Sequence, residues 1–390
     1  MIPYGRHHIE EDDIQAVVTC MRGTHLTQGP LVREFEQAIA DYVGARYAVA
    51  VSSGTAALHL AMISAGVQCG DSVVTSPITF VASANSAKYV GANVLLADID
   101  PETVNMSPVS LKSLLSDNPE VRAIVPVHFA GMACDMPVIK EISDSVGAVV
   151  IEDAAHALGA RYQNGQHVGC CSHSLMTVFS FHPVKAIAAG EGGMITTNDE
   201  NVYRSLLRLR SHGINKGDDE FLNMSAAETE GIENPWYYEM QELGFNYRIT
   251  DIQCALGLSQ LGKLDRFILK RRELAKRYDE MLAEFRFLNC IQSDGRDISA
   301  HHLYPVLIDF SSLQTNRAQL MRDLRSEGVI AQVHYIPVPV HPYYRQQGFE
   351  LGEYPSSQAY YEQTVSIPLF YDLTEKQQDF VVHLLDKYLV

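Results

Sequence analysis

The stretch Ala148–His156 reads AVVIEDAAH. Its first four residues, Ala148 to Ile151, are apolar, which suits a strand buried on both faces and is far short of the ~20 residues that cross a bilayer. Two carboxylates follow at the strand's end. A carboxylate placed there is costly unless a partner meets it. Asp153 therefore reads either as a group aimed at a protonated heterocyclic nitrogen or a metal, or as an ordinary helix N-cap. His156, three residues on, reads alone as a packed or hydrogen-bonded histidine.

The same grammar recurs outward from this stretch. Strands are expected at Tyr47–Val51, Ser72–Ser76, Asn93–Ala97, Arg122–Val127 and Leu175–Phe181. Helical spacing begins at Ala56 and recurs over Thr79–Val90 and Pro137–Val146. Gly193–Thr197 reads as a return strand before a helix over Glu200–Ser211. Such alternation implies an α/β fold with a mostly parallel, doubly covered sheet. In such sheets ligands sit at the carboxyl ends of the strands. Asn215–Met240 is polar and without clear periodicity, and reads as a long surface loop. One long helix, Thr250–Glu284, then leads into a smaller unit. That unit has a strand at His302–Ile308, a helix at Arg317–Glu327, a strand at Ala331–Tyr335 and a final helix at Glu375–Leu389. The expected division is a large domain over 1–250 and a small α+β domain over 251–390.

The chain has 390 residues, is 46% hydrophobic and 20% charged, and carries a formal charge of −17. That is globular composition. It lacks the basic excess with which nucleic-acid binders neutralise phosphate, although a local basic pocket can still hold one anion. From Arg6 onward the N-terminus is polar, without the apolar core of a signal peptide. The seven cysteines are odd in number, scattered and without CxxC spacing, so they read as free thiols and no metal site is expected. A soluble cytoplasmic protein is the expectation, with neither nucleic acid nor membrane as a partner.

Four features at strand ends carry chemistry. Ser53-Gly54-Thr55-Ala56 joins a strand to a helix, where free N–H groups and the Thr55 hydroxyl make an anion site; the same pattern is also an ordinary cap. Asp153 and His156 form the second feature. The third is Ser180 to Lys185, SFHPVK, followed by the glycine-rich Gly190–Gly193. A lysine after a buried strand can lose its charge by desolvation and become a nucleophilic amine, and Ser180 could hold a phosphate. The fourth is Phe80, which could stack on a planar ring or pack in the core. A phosphate cradle, an acid for a pyridinium nitrogen, a stacking ring and a Schiff-base lysine are together what pyridoxal 5'-phosphate needs.

At these residues the chain resembles the fold-type I pyridoxal-phosphate enzymes, and within them the DegT/DnrJ/EryC1/StrS sugar-nucleotide aminotransferases. The resemblance spans nearly the whole chain. It is carried by LTQGP at Leu26–Pro30, SSGTAAL at Ser52–Leu58, PITFVAS at Pro77–Ser83, EDAAHALGA at Glu152–Ala160, SFHPVK ending at Lys185, GEGGM at Gly190–Met194, LGFNYRITD at Leu243–Asp251 and QVHYIPV at Gln332–Val338. A dehydratase branch of the family has histidine in place of the lysine; Lys185 is intact, which favours amino transfer. The resemblance implies a large domain built on a mostly parallel seven-stranded sheet, with Lys185 as the catalytic residue that carries the cofactor. Asp153 would meet the pyridine nitrogen, with His156 and Phe80 beside the ring and Gly54, Thr55, Ala56 and Ser180 at the phosphate or the bound adduct. It implies a homodimer with shared sites, in which Asn246 and Arg248 reach the partner's cofactor. Arg33 and Arg248 could hold anions or serve as ordinary ion pairs. The opening Tyr4, the segment Leu26, Thr27, Gln28 and Gly29, and the segment Gln332, Val333, His334 and Tyr335 resemble the branch that makes the 4-amino precursor of pseudaminic acid. They would line a pocket for a UDP-linked 4-keto-6-deoxy sugar, with L-glutamate as amino donor.

Overall fold

The computed structural model of the chain describes residues 1–217, 219–292 and 294–389. Asp218, within the expected long loop, and Val390, at the end of the expected small domain, lie outside the described residues, as does Ser293.

The strands of the main sheet are β1 (Tyr47–Val51), β2 (Ser72–Thr75), β3 (Asn93–Leu96), β4 (Val121–Val125), β5 (Val149–Asp153), β6 (Met176–Ser180) and β7 (Gly193–Thr197). They lie in the order β1-β7-β6-β5-β4-β2-β3. β7 runs antiparallel to both its neighbours and every other pairing is parallel. The expected mostly parallel seven-stranded sheet is therefore present, and Gly193–Thr197 is its return strand. Neighbouring residues of each central strand enter opposite cores. Val150, Ile124 and Phe179 pack with Phe35 and Ile39 on one face. Ile151, Val125 and Val178 pack with Leu60 and Met62 on the other. Burial on both faces is why these strands read as continuous apolar runs rather than alternating ones.

The covering helices are α1 (Glu11–Arg22), α2 (Pro30–Val43), α3 (Gly54–Ser64), α4 (Ala82–Tyr89), α5 (Pro108–Asp117), α6 (Met136–Val146) and α7 (Glu200–Leu209). The sequence reading leaves α1, α2 and α5 unassigned. α2 carries clear boundary signals, Pro30 at its first turn and Gly44 at φ +79° after its last, the pair of stops expected of a helix. α4 begins at Ala82 and not at Thr79. Residues 77–80 instead form a turn, pinned where Val338 N–H donates to Pro77 O at 2.9 Å.

The single helix expected over Thr250–Glu284 is two, Asp251–Leu261 and Leu264–Leu282. The break at Gly262-Lys263 follows from where the halves are tied. Gln260 Nε2 donates to buried Asp13 at 2.7 Å, and Lys263 Nζ lies 2.8 Å from the same carboxylate. Cys254 and Leu264 join the sheet's core, whereas Leu274 and Tyr278 join a third core. That core lies against a three-stranded antiparallel sheet of Leu288–Cys290, Tyr304–Ile308 and Thr364–Ile367. Ala331–Tyr335 is not a strand; Gln332 alone bridges to Ser366. The expected loop over Asn215–Met240 holds two short ladders, Ile214–Asn215 with Glu239–Met240 and Glu228–Thr229 with Ile232–Glu233.

Candidate active site

Five strands deliver their carboxyl ends to one place. Ser53, Gly54 and Thr55 follow β1, Thr79 and Phe80 follow β2, and Val127 follows β4. Asp153 ends β5, Ser180 ends β6, and Lys185 comes five residues later. These residues line a cavity of about 380 Å³, joined by Tyr4, His156, His302, His334 and Tyr335.

The turn after β1 is built for close approach. Ser53 caps α3, its Oγ accepting from Ala56 N–H at 3.1 Å. A Cβ on Gly54 would sit 3.0 Å from Ser180 Cβ, and one on Gly193 would sit 2.4 Å from Ser53 O. The glycine at the start of β7 thus serves the same turn from the neighbouring strand. Gly54, Thr55 and Ser180 form a small concave group at a helix start, where the first N–H groups have no helical partner.

Asp153 is buried. Ser83 Oγ donates to its Oδ2 at 2.6 Å and Ala155 N–H to its Oδ1 at 3.1 Å. Glu152, beside it on β5, points to the opposite face and is fully buried. It accepts from His128 Nε2 at 2.7 Å, Tyr162 OH at 2.6 Å, Ser174 Oγ at 2.5 Å and Thr177 Oγ1 at 3.1 Å. Burial alone would raise the Glu152 pKa, but these donors outweigh it and hold the carboxyl below its usual range. His128 also donates its backbone N–H to Asp153 O at 3.0 Å. One residue thereby clasps both carboxylate-bearing positions.

Burial pushes the Lys185 amine down to about 8, against the pull of Asp153. Its Nζ lies 3.4 Å from His302 Nε2. His156 is pushed well below the ordinary imidazole range by burial, then by Lys185 and His334. Its Nε2 faces Tyr335 OH at 2.8 Å, and its Nδ1 is buried without a partner among the described residues. His334 falls to about 3 for the same reason, burial first and Lys185 second. The cavity thus holds neutral imidazoles around an amine of lowered basicity.

Pyridoxal phosphate fits this donor set. The turn at Gly54 with Ser180 leaves room that a side chain would fill, Asp153 offers a hydrogen-bonded carboxylate, and Lys185 offers an amine that is neutral at mildly alkaline pH. Phe80, 58% exposed, stands at the rim with its ring 6.1 Å from that of Tyr335.

A family model, the DegT/DnrJ/EryC1/StrS aminotransferase family, matches residues 7–386. The chain belongs to this family. It is a pyridoxal-phosphate-dependent transaminase, a sugar aminotransferase by family. Among curated relatives, the spore coat polysaccharide biosynthesis protein SpsC of Bacillus subtilis is 37% identical over 385 residues, covering 98% of this chain and 95% of that protein. Among solved structures, Helicobacter pylori PseC, an aminotransferase involved in the biosynthesis of pseudoaminic acid, is 28% identical. It superposes with a TM-score of 0.88, over 100% of this chain and 99% of that one. Streptococcus pneumoniae Spr1654 in its PMP-form is 28% identical, with a TM-score of 0.89 and the same coverage.

Not every residue singled out in the aminotransferase sequence reaches the cavity. Gly54, Thr55, Phe80, Asp153, His156, Ser180, Lys185, Tyr4, His334 and Tyr335 line it. Ala56 lies one residue beyond, buried in α3. Gln332 bridges to Ser366, and Val333 follows it outside the lining. Leu26 is exposed, Thr27 bridges to Thr250, and Gly29 N–H donates to Asp251 Oδ2 at 2.8 Å. Asn246 bridges to Ser211. Gln28, Arg33 and Arg248 line a second cavity of about 860 Å³ with Arg46 and Arg210. Within it Arg210 pairs with Glu36. Two site residues escaped the sequence reading. Ser83 stood inside the quoted PITFVAS, unremarked. His302 stood in AHHLY, where nothing local ties a histidine to a lysine 117 positions earlier.

Proposed function

We propose that this aminotransferase moves the amino group of L-glutamate to C4 of UDP-2-acetamido-2,6-dideoxy-β-L-arabino-hexos-4-ulose. The product is UDP-4-amino-4,6-dideoxy-N-acetyl-β-L-altrosamine, a precursor of pseudaminic acid. The observation that carries amino transfer is the lysine of lowered basicity beside a buried, hydrogen-bonded Asp153 at the carboxyl ends of parallel strands. The likeness to PseC over the whole chain, together with Tyr4 and Gln332–Tyr335, supports the choice of sugar.

Bound pyridoxal phosphate supplies an aldehyde to receive the amino group and a ring that draws off the electrons freed when the donor's α-proton leaves. Asp153 holds a proton at the ring nitrogen, and Ser83 keeps the carboxylate in place. Lys185 would hold the cofactor through its amine, and the same amine, when free, would take the donor's α-proton and, in the second half, deliver a proton to the sugar's C4. Gly54, Thr55 and Ser180 would hold the phosphate, and Phe80 would supply an aromatic face for the ring. Two half-reactions through one amine require ping-pong kinetics.

Two further parts belong to the same proposal. The working molecule is a cytoplasmic homodimer in which Gln28, Asn246 and Arg248 complete the partner's cavity. The chain divides near residue 250 into the large and small domains. The higher identity to SpsC favours one alternative, the same chemistry on another UDP- or dTDP-linked 4-keto or 3-keto sugar. Incubation with L-glutamate and the UDP-linked 4-keto-L-sugar, followed by NMR of the product, separates the two. A 4-amino product of L-altro configuration supports the first, and turnover of only a different keto sugar supports the second.

A further inference from the structure

His302 is not needed by the chemistry just described, yet its ring sits against the amine on which that chemistry turns. The 3.4 Å approach of His302 Nε2 is the only side-chain hydrogen bond of Lys185 Nζ among the described residues. The fold sets the ring's place independently of the lysine. His302 N–H donates to Ala130 O at 2.8 Å. Its carbonyl accepts from the buried Arg271 at 3.4 Å, and the same guanidinium nitrogen reaches His301 O at 3.3 Å and Leu369 O at 3.1 Å. Gly131, at φ +104°, lets the two segments cross; a Cβ there would sit 3.0 Å from His302 N. On its flank stands the His156 ring, 4.4 Å away between centroids, itself fixed by Tyr335.

We propose that His302 is the positioning residue of Lys185: its Nε2 holds the free amine in the cavity in both protonation states, accepting from the ammonium and donating to the neutral amine. A neutral imidazole can do both, because its two tautomers exchange donor and acceptor at Nε2. Nδ1 has no partner among the described residues that would lock either tautomer. The surroundings keep the ring neutral. Burial lowers its basicity well below the ordinary range, and the groups that face it, Lys185, His156, Arg271 and His334, are positive whenever they are charged. Lys185 in turn faces Asp153, His302, His156 and His334. A carboxylate in place of His302 would trap the ammonium in an ion pair, and an apolar residue would leave the amine unheld. An imidazole avoids both.

This inference rests on Lys185 being the reacting amine, and borohydride reduction of the wild-type holoenzyme with peptide mapping tests that separately. The test of His302 uses the full-length protein freed of cofactor. Lys185 is acetylated with acetic anhydride across a pH series and quantified by peptide mass spectrometry in wild type, His302→Phe, His302→Met and His302→Gln. The ammonium loses the stronger, charge-assisted bond, so either apolar variant moves the labelling midpoint down by about one pH unit. In the reloaded enzyme, exchange of glutamate's α-proton with solvent deuterium slows roughly 10- to 100-fold at little change in KM. His302→Gln, which keeps a donor and an acceptor, restores part of both. A folded apolar variant with the wild-type midpoint and exchange rate overturns the proposal. So does failure of both apolar variants to fold, which would make His302 a structural residue.

Discussion

Lys185 shows how little of a residue's chemistry lies in its side chain alone. An ordinary lysine is protonated through neutral pH and is a poor nucleophile. Here burial brings the amine to about 8, with Asp153 opposing. The sign is that of a cation stripped of water: the charged form is penalised, so the reactive neutral amine gains ground as pH rises through that value. Capture of pyridoxal phosphate by the cofactor-free protein should therefore speed up roughly tenfold per pH unit below about 8 and level off above it. Stopped-flow absorbance across a pH series checks this; a rate still climbing tenfold per unit from pH 9 to 10 would mean the lysine is unperturbed. The place of Lys185 and Asp153 at the cavity was legible in the sequence because Asp153 comes two residues after the apolar run Ala148–Ile151 and Lys185 follows within five residues of the strand that ends at Ser180. His302 was not, because its meaning depends on a crossing of segments 130 and 300 that no local pattern encodes.

Among the elements, the strand ends carry the site, and glycines decide how closely they meet. Gly193 begins β7 with an extended backbone, so its reason is space and not conformation. A Cβ there would lie 2.4 Å from Ser53 O, against backbone that cannot swing aside. Gly193→Ala should push the Ser53–Thr55 turn away from Ser180. We expect a loss of about 1–3 kcal/mol in stability, as for other overpacked sites, and weaker cofactor retention. Thermal unfolding with and without added pyridoxal phosphate reads both, and an unchanged Tm with unchanged retention would contradict this account of the turn. Element types were legible wherever burial covers both faces, as in β5 and β6. The helix over Thr250–Glu284 was misread as one because Leu, Lys and Arg spacing runs through Gly262. The break is set by ties to Asp13, some 250 residues away.

The whole molecule leaves several residues of the resemblance outside the lining of their own chain's cavity. Gln28 and Arg248 line the second cavity, and Asn246 lies outside both. In the chain segment that precedes it, Leu222, Trp236 and Leu243 are between 73% and 80% exposed, more apolar surface than one excursion of chain ordinarily leaves in water. The proposed homodimer, in which these residues serve the partner, would account for both facts. It makes a sharp expectation for two inactive variants, Lys185→Ala and Asn246→Ala. Mixed after reversible dissociation, they should recover roughly a quarter of wild-type activity, since half the dimers are mixed and each mixed dimer keeps one intact site. Sites made within one chain would recover nothing. No helix among the described residues is long and apolar enough to cross a membrane. At this scale the fold class was legible from the β/α alternation, whereas the assignment of residues to one cavity or the other depends on tertiary placement that spacing along the chain does not carry.

The central claim is that the Lys185 cavity accepts an amino group from glutamate through pyridoxal phosphate. The most direct test is the visible spectrum of the reconstituted protein as L-glutamate is added under anaerobic single-turnover conditions. The account predicts that the absorbance of the lysine-bound cofactor falls, that one equivalent of 2-oxoglutarate forms per site, and that added 2-oxoglutarate restores the band. A band that glutamate leaves unmoved, in protein shown to hold a full complement of cofactor, would contradict it.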